Sequence, residues 1–280
     1  MKNKLCITMY VAGERYARYI PIFIYFAKEA YPEYSILIAY KNELPASVRL
    51  HLELLKLFYK DFEVREGVFE DFPNDADTVK TLRWTMWFPQ YNNFDYIYVG
   101  DIDILLFREE PTLLEQHLKI CDDTDNCYSN TTKIDDVKTR GTRMTGLHFF
   151  KREEYSSKML PVMQKYLGML RFNVNIPEFY NKAFGRVDNQ HALYSMIKES
   201  GLKLPEHSFF EYHGLHLGHS RVSGRWDTVF EDEKYRKFYN KFCKLISKPL
   251  FELLSEKLTP EIQNEIDTMI CSGEKKCPIN

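Results

Sequence analysis

The sequence predicts an α/β protein with a Rossmann-like, mixed but mainly parallel sheet, flanked by helices and followed by a helical C-terminal extension. Short apolar runs alternate with stretches of helical spacing through the first hundred residues, which is typical of a parallel sheet covered on both faces. Residues 230–270 instead carry apolar side chains at helical spacing without intervening strands. These two patterns together indicate one large α/β unit and an α-helical tail.

The first half divides into strands and helices. Apolar and β-branched runs predict strands at residues 5–10, 34–40 and 94–99. Between them, apolar residues at helical spacing predict helices at residues 15–31, 45–59 and 77–91. Pro32 stops the first of these helices and Pro45 opens the second, the positions at which proline is expected.

The second half is less regular. We expect a polar loop at residues 121–136, strands at 144–150 and 209–217, and helices at 151–170 and 188–200. Two units are predicted, a catalytic domain at residues 1–226 and a helical extension at 227–280 packed on it.

Composition excludes several classes of protein. Of the 280 residues, 44% are hydrophobic and 15% aromatic, which excludes disordered and collagen-like chains. The net charge of −2 gives no reason to expect nucleic-acid binding. The apolar runs fall short of the roughly 20 residues of a membrane span and of a signal peptide, so we expect a cytoplasmic protein. The six cysteines form no C-x-x-C pair, which favours reduced thiols over a zinc framework.

An Asp-x-Asp motif follows the third predicted strand. Asp101 and Asp103 come directly after residues 94–99, where the strand ends and where ligands bind in open α/β sheets. Side chains at i and i+2 of an extended segment point the same way, so both carboxylates can approach one cation, Mn²⁺ or Mg²⁺. The alternative is an ordinary acidic turn after a strand.

The chain resembles nucleotide-sugar-dependent glycosyltransferases of the GT-A fold, in the branch of glycogenin and bacterial galactosyltransferases. Six segments carry the resemblance: residues 8–12 with Tyr16, 80–84, the Asp101–Asp103 pair, 145–150, 188–190 and 216–221. The sequence departs from the family pattern at Thr145, at the three-residue segment 188–190 and in the single residue between His216 and Gly218.

The resemblance implies a role for each matched position. It implies a metal held by Asp101, Asp103 and His216, and catalytic residues Asp188 and Gln190. It implies donor binding by a larger set, namely Thr8, Tyr10, Ala12, Tyr16, Arg83, Asp101, Ile102, His219 and Arg221.

Several assignments stay open at this point. His213 and His219 are alternatives to His216 as the metal-binding histidine. Asp188 fits a helix N-cap as well as an active site, and Arg83 could stack on a neighbouring tryptophan. Tyr10 and Tyr16 could belong to the core. A retaining enzyme needs no strong base, whereas in an inverting enzyme Asp188, Asp135 or Asp136 could deprotonate the acceptor.

These observations favour a metal-dependent glycosyltransferase that moves a sugar from a nucleotide sugar, by resemblance a UDP-sugar, to a hydroxyl of a glycan or lipid-linked glycan. The basic stretch 234–248 suits weak contact with a membrane surface. One alternative is a metal-dependent nucleotidyl or phosphoryl transferase, although residues 11–14 contain a single glycine where such an enzyme usually has a Gly-rich loop. The other is a non-catalytic binding protein that retains the fold.

Overall fold

The structure is a computed structural model and describes residues 4–134, 142–172, 174, 176–181, 186–205, 213–256 and 258–276. Within these residues the strands are β1 (Leu5–Val11), β2 (Ser35–Tyr40), β3 (Phe62–Arg65), β4 (Tyr96–Val99), β5 (Ile104–Leu106), β6 (Tyr128–Ser129), β7 (Thr132–Ile134), β8 (Thr142–Met144), β9 (His148–Lys151), β10 (Tyr180–Asn181), β11 (Arg186–Val187) and β12 (Gly214–His216). The helices are α1 (Glu14–Ala17), α2 (Ile20–Ala30), α3 (Ala46–Lys56), α4 (Ala76–Leu82), α5 (Leu113–Thr124), α6 (Arg152–Arg171), α7 (Asn189–Glu199), α8 (Arg225–Val229), α9 (Glu233–Ile246), α10 (Pro249–Ser255) and α11 (Pro260–Lys276).

A six-stranded sheet in the order β3-β2-β1-β4-β9-β6 forms the centre of the molecule. The first four strands in that order are parallel, and β9 runs antiparallel to both β4 and β6. The predicted architecture, a mixed and mainly parallel sheet flanked by helices, is confirmed. Because the four parallel strands end at one edge, the loops after β1, β2 and β4 meet there.

Two hydrophobic clusters cover the two faces of the sheet. Leu5, Ile7 and Met9 of β1 face one cluster, which also contains buried residues of α2, α3, α5 and α9–α11. Cys6 faces the other, which contains buried residues of α6 and α7. This alternation follows from the two-residue period of a strand. The helical extension therefore packs into the core on one face of the sheet.

A short antiparallel ladder, β5 with β12, stands beside the main sheet. Its register pairs His216 with Ile104, and the Leu217 amide donates to the Asp103 carbonyl over 2.9 Å. The ladder therefore joins the segment after β4 to a part of the chain more than a hundred residues later.

Some predicted elements are divided or shortened. The helix expected at 15–31 is α1 followed by α2, and the one expected at 77–91 ends at Leu82, with a separate 3₁₀ turn at Pro89–Asn93. Pro89 is the first residue of this 3₁₀ turn, a position that suits proline. The strand expected at 144–150 is β8 and then β9. Of the strand expected at 209–217, residues 209–212 lie outside the described residues.

Several elements were not expected from the sequence. The loop prediction for residues 121–136 is wrong, because α5 runs to Thr124 and the strands β6 and β7 lie within that range. This helix is stabilised by a capping box in which Thr112 and Glu115 bond to each other's backbone amides. The short edge strand β3 was also missed, because its sequence, Phe-Glu-Val-Arg, offers little apolar signal.

A buried histidine in β9 makes the stability of the fold depend on pH. His148 lies 3.0 Å from the Asn130 side-chain nitrogen and 2.9 Å from the Tyr155 hydroxyl. Burial, with a smaller contribution from the nearby Arg83 charge, lowers the pKa of His148 to about 3. The folded chain therefore resists a proton that the unfolded chain accepts at a pKa of about 6.5.

We expect the free energy of unfolding to fall as pH drops below about 6.5, because only the unfolded state takes up this proton. The contribution of His148 approaches about 1.4 kcal/mol per pH unit between pH 5.5 and 4. The variant His148→Gln should lose this part of the slope in urea unfolding measured across that range. Identical slopes for the two proteins would show that His148 does not carry the effect.

Candidate functional site

A cleft of about 620 Å³ opens at the carboxyl edge of the parallel strands. Its lining comes from the end of β1, from the segments that follow β1, β2 and β4, from α4 and the residues beside it, and from the start of α7. The lining residues are Tyr10, Val11, Ala12, Gly13, Tyr16, Lys41, Asn42, Asn74, Ala76, Val79, Lys80, Arg83, Gly100, Asp101, Ile102, Asp103, Asn189 and Gln190. Its size lies within the range of about 300–1,000 Å³ usual for small-molecule sites.

Asp103 is the more buried carboxylate of the Asp-x-Asp motif, with 6% of the residue exposed. Its Oδ1 lies 3.2 Å from His216 Nε2, and its Oδ2 accepts from Arg221 Nη2 over 3.0 Å. Burial alone would raise the pKa of Asp103, but the hydrogen bond and charge of His216, together with Arg221, hold this pKa below its ordinary value. Asp103 is therefore an anion at neutral pH.

Asp101 faces a different cation. Arg83 Nη1 donates to Asp101 Oδ1 over 2.6 Å, and the guanidinium lies 4.1 Å from the ring centre of Trp84. A Cβ at Gly146 would lie 2.9 Å from Arg83 Nη2 and 3.0 Å from Asp101 Oδ2. A glycine at this position therefore leaves room for the ion pair. Arg83 therefore stacks on an aromatic ring and also lines the cleft.

The side chains expected to bind a divalent metal, Asp101, Asp103 and His216, are partly in contact with one another. Two carboxylates and one imidazole are ligands that suit Mn²⁺ in kind, and Asp103 is in contact with His216. Gly218 has no side chain to obstruct them, whereas a Cβ there would lie 2.8 Å from His216 Nε2. Asp101, however, is paired with Arg83, and in the described part of the chain no three His, Cys, Asp or Glu side chains are grouped as a ready metal site. These side chains are of the kinds that bind a metal, and the guanidinium groups of Arg83 and Arg221 compete with a metal for the two carboxylates.

Helix α7 brings its first residues to the cleft. Asp188 is the N-cap of this helix, and its Oδ1 accepts from the amides of Gln190 (2.8 Å) and His191 (3.3 Å). Gln190 lines the cleft, and its Oε1 accepts from Arg143 Nη1 over 2.8 Å. Asp188 thus caps the turn that carries Gln190, and it is Gln190 rather than Asp188 that lines the cleft.

The cleft brings together most of the site residues expected from the sequence, namely Tyr10, Ala12, Tyr16, Arg83, Asp101, Ile102, Asp103 and Gln190. Arg221, His216 and His219 lie outside its lining, and the first two contact Asp103. The His219 ring is 5.1 Å from that of His216 and 5.3 Å from that of Trp226. Arg221 and His216 therefore meet the cleft through Asp103, whereas His219 packs against His216 and Trp226.

Two residues considered for the site from the sequence, Thr8 and His213, do not line the cleft. Thr8 lies in the middle of β1 and is fully buried, with its hydroxyl bonded to the Leu37 carbonyl (2.9 Å) and the Tyr91 hydroxyl (2.8 Å). His213 is buried between Glu109 (2.7 Å) and His117 (3.0 Å), so of the three clustered histidines it is His216 that reaches Asp103. Asp135 and Asp136 lie outside the described residues.

Sequence reasoning missed Lys41 and Asn42, which follow β2 directly and line the cleft. Lys80, in the segment 80–84 that carries the resemblance, lies on α4 and lines the cleft as well. The Lys41 amino group donates to the carbonyls of Phe69 (2.7 Å) and Phe72 (2.8 Å), which holds the following loop at the cleft. The rule that placed Asp101 at a strand end, applied to β2, would have found Lys41 and Asn42.

Two findings concern the rest of the chain. No helix among the described residues is both long and apolar enough to cross a membrane. Cys6, Cys121, Cys127, Cys243 and Cys271 are free thiols, in agreement with the sequence, and Cys277 lies outside the described residues.

Comparison with known proteins gives a likeness of structure without a likeness of sequence. Neither the search of family models nor the search of curated proteins found a match. Among solved structures, a putative nucleotide-diphospho-sugar transferase from Desulfovibrio desulfuricans G20 is 13% identical and has a TM-score of 0.44, over 95% of this chain and 98% of that one.

Two further structures are similar. The glycosyltransferase GlyE of Streptococcus pneumoniae TIGR4 is 11% identical with a TM-score of 0.49, over 93% of this chain and 64% of that one. The galactosyltransferase LgtC, solved with donor and acceptor sugar analogues, is 14% identical with a TM-score of 0.43, over 68% of this chain and 70% of that one. Sequence identities and TM-scores this low assign no role to any residue of this chain. A functional conclusion must therefore rest on the residues of the cleft.

Proposed function

We propose that this protein is a metal-dependent glycosyltransferase that uses a nucleotide-sugar donor, most simply a UDP-sugar, and transfers the sugar to a hydroxyl of a glycan or lipid-linked glycan. The observation that carries the proposal is the meeting of Asp101, Asp103 and Arg83 in one cleft at the carboxyl edge of the sheet. Anionic and cationic side chains so close together suit a ligand that carries both phosphates and a bound cation.

The basic side chains would hold the diphosphate. Arg83 and Lys80 lie on the α4 side of the cleft. Arginine binds phosphate oxygens through its forked donors, and lysine binds them as a point charge. When a diphosphate enters, we expect Arg83 to exchange its bond with Asp101 for phosphate oxygens, which frees that carboxylate.

Asp101, Asp103 and His216 would hold the Mn²⁺ or Mg²⁺. When bound, such an ion supplies positive charge to the diphosphate as it leaves the sugar. His216 is kept next to Asp103 by the β5–β12 ladder. Arg221 adds a fixed positive charge behind Asp103.

The remaining walls would position the nucleoside and the sugar. Tyr10, near the end of β1, and Ala12 and Tyr16, which come after it, would receive the base and ribose. Gln190 would lie near the transferred sugar, held by Arg143 and by the turn that Asp188 caps. In this arrangement residues 1–226 are the catalytic unit and residues 227–280 support it.

A thermal-shift screen tests the proposal. With MnCl₂ present, UDP or a UDP-sugar at 100 times its dissociation constant should raise the free energy of unfolding by about 2.7 kcal/mol and the Tm by several degrees. Other nucleoside diphosphates and their sugars serve as comparisons. If no nucleotide sugar or nucleoside diphosphate stabilises the protein with metal present, the proposal is wrong. Stabilisation by nucleoside triphosphates alone would favour a nucleotidyl or phosphoryl transferase.

A further inference from the structure

Glu265 is a carboxylate of the C-terminal helix α11 that lies deep in the protein. Only 4% of the residue is exposed. It accepts hydrogen bonds from Arg15 Nη2 (2.9 Å) and Arg221 Nε (2.8 Å) on one oxygen, and from the Tyr19 hydroxyl (2.5 Å) on the other. Burial of a carboxylate is costly unless the charge is paired and hydrogen-bonded, and Glu265 meets both conditions.

A chain of contacts connects this helix to the cleft. Arg221 is held by Glu265 at Nε and donates from Nη2 to Asp103 Oδ2 over 3.0 Å. Because the guanidinium is planar and rigid, fixing one end of it fixes the direction of the other. The side chain of Glu265 therefore sets how Arg221 meets the buried carboxylate of the Asp-x-Asp motif.

The residue before Arg221 is tied to the same helix. The Ser220 hydroxyl donates to the Glu265 carbonyl over 2.6 Å, and Trp226 Nε1 donates to the Ser220 oxygen over 2.7 Å. The 3₁₀ turn that carries Arg221, Leu217–Arg221, is thus attached to α11 by the side chains of Ser220 and Arg221, which bond to the carbonyl and the carboxylate of Glu265. The position of Arg221 therefore depends on the C-terminal extension.

Charge is balanced along this chain of contacts. Asp101, Asp103 and Glu265 are paired with guanidinium groups from Arg83, Arg221 and Arg15. Without Glu265, Arg15 would lose the carboxylate it pairs with, and Arg221 would be left with Asp103 as its partner. An excess of positive charge at this point opposes the binding of a cation and favours the binding of an anion.

We propose that Glu265 is a positioning residue of the catalytic cleft, which holds Arg221 against Asp103 and keeps this end of the cleft negative enough to accept a divalent cation. The inference rests on the proposed function and extends it, because it makes the C-terminal helix part of the metal-binding machinery. The side chain acts through Arg221 and touches no substrate.

Two substitutions with opposite changes of charge separate this role from simple support of the fold. Glu265→Gln removes a negative charge and should raise the Kd for Mn²⁺ about tenfold, while leaving metal-free UDP binding unchanged or tighter. Arg15→Gln removes a positive charge from a side chain that is 51% exposed, and should lower the Kd for Mn²⁺ about threefold. Loosening of the helix alone would weaken both ligands in both variants.

Calorimetry with MnCl₂ alone, and with UDP in excess chelator, measures these constants. Met269→Ala is the matched control, because Met269 is fully buried on the same helix and its truncation destabilises the fold without altering charge. We expect its Kd for Mn²⁺ to stay within threefold of the wild type. If Glu265→Gln fails to fold, Arg15→Gln still decides the question.

The outcomes distinguish this inference from the proposed function. A wild type that binds Mn²⁺ and UDP, together with an Arg15→Gln or Glu265→Gln variant whose Mn²⁺ affinity is unchanged or shifts in the other direction, overturns the positioning role alone. The same holds if Met269→Ala weakens Mn²⁺ binding as much as Glu265→Gln does. A wild type that binds neither Mn²⁺ nor UDP overturns both.

Discussion

Asp103→Asn should reduce the rate of donor cleavage at least about hundredfold, because it removes a buried carboxylate that we assign to the metal. The substitution also takes the anionic partner away from His216 and Arg221, which meet at this side chain. The release of UDP from the donor, followed at saturating MnCl₂, measures the effect. The variant should still fold, since asparagine has nearly the same shape and can accept a hydrogen bond from Arg221.

Asp95→Asn is the matched control for this variant. Asp95 is an exposed carboxylate at the opposite end of β4, outside the cleft, where it accepts from the Lys4 amide over 2.9 Å. We expect its rate of donor cleavage to stay within about threefold of the wild type, since a surface bond contributes little. Equal activity of Asp103→Asn and the wild type would mean that the Asp-x-Asp motif is only an acidic turn.

Gly214→Ala should have the largest effect on stability, lowering the free energy of unfolding by about 3 kcal/mol, the upper end of the usual cost of overpacking. Gly214 opens β12 opposite Leu106, and a Cβ there would overlap the backbone carbonyl of Leu105. No side-chain rotation relieves a clash with backbone, so the β5–β12 ladder must separate. Because this ladder brings His216 to Asp103, donor cleavage should fall as well. Urea unfolding and the UDP-release assay measure the two effects.

Gly168→Ala provides the comparison. Gly168 lies in α6, and a Cβ there would meet nothing within 4 Å. Alanine is a better helix former than glycine, so this variant should be as stable as the wild type or more stable by about 0.5–1 kcal/mol. If Gly214→Ala unfolds at the same urea concentration as Gly168→Ala, the ladder does not hold the site together as we describe.

The part of the site that lies at strand ends could be predicted from the sequence. Asp101 and Asp103 follow an apolar strand, and the topology of a parallel sheet brings that point beside the end of β1. The resemblance to GT-A glycosyltransferases, rather than this rule, pointed to Tyr10 and Ala12, which also line the cleft. Thr8 was misplaced because the middle of a strand buried on both faces offers no side chain to a ligand.

The parts that depend on long-range packing could not be predicted. His216 reaches Asp103 through an antiparallel ladder between distant segments; the resemblance pointed to His216, but nothing in the residues themselves separates it from His213 three residues earlier. Glu265 looks like one acidic residue of an amphipathic helix, and its burial against Arg15 and Arg221 is visible only after folding. The role of Asp188 could not be predicted from its motif either. Its side-chain oxygen caps α7, a helix whose first residues line the cleft.

The measurement that tests this account most directly is nucleotide-sugar consumption by the wild type and Asp103→Asn side by side, with a panel of donors and MnCl₂. We predict that the wild type consumes one class of nucleotide sugar, releases an equal amount of the nucleoside diphosphate, and loses this activity in excess chelator, while Asp103→Asn is inactive. Failure of the wild type to consume any donor, or equal cleavage by both proteins, would contradict the account.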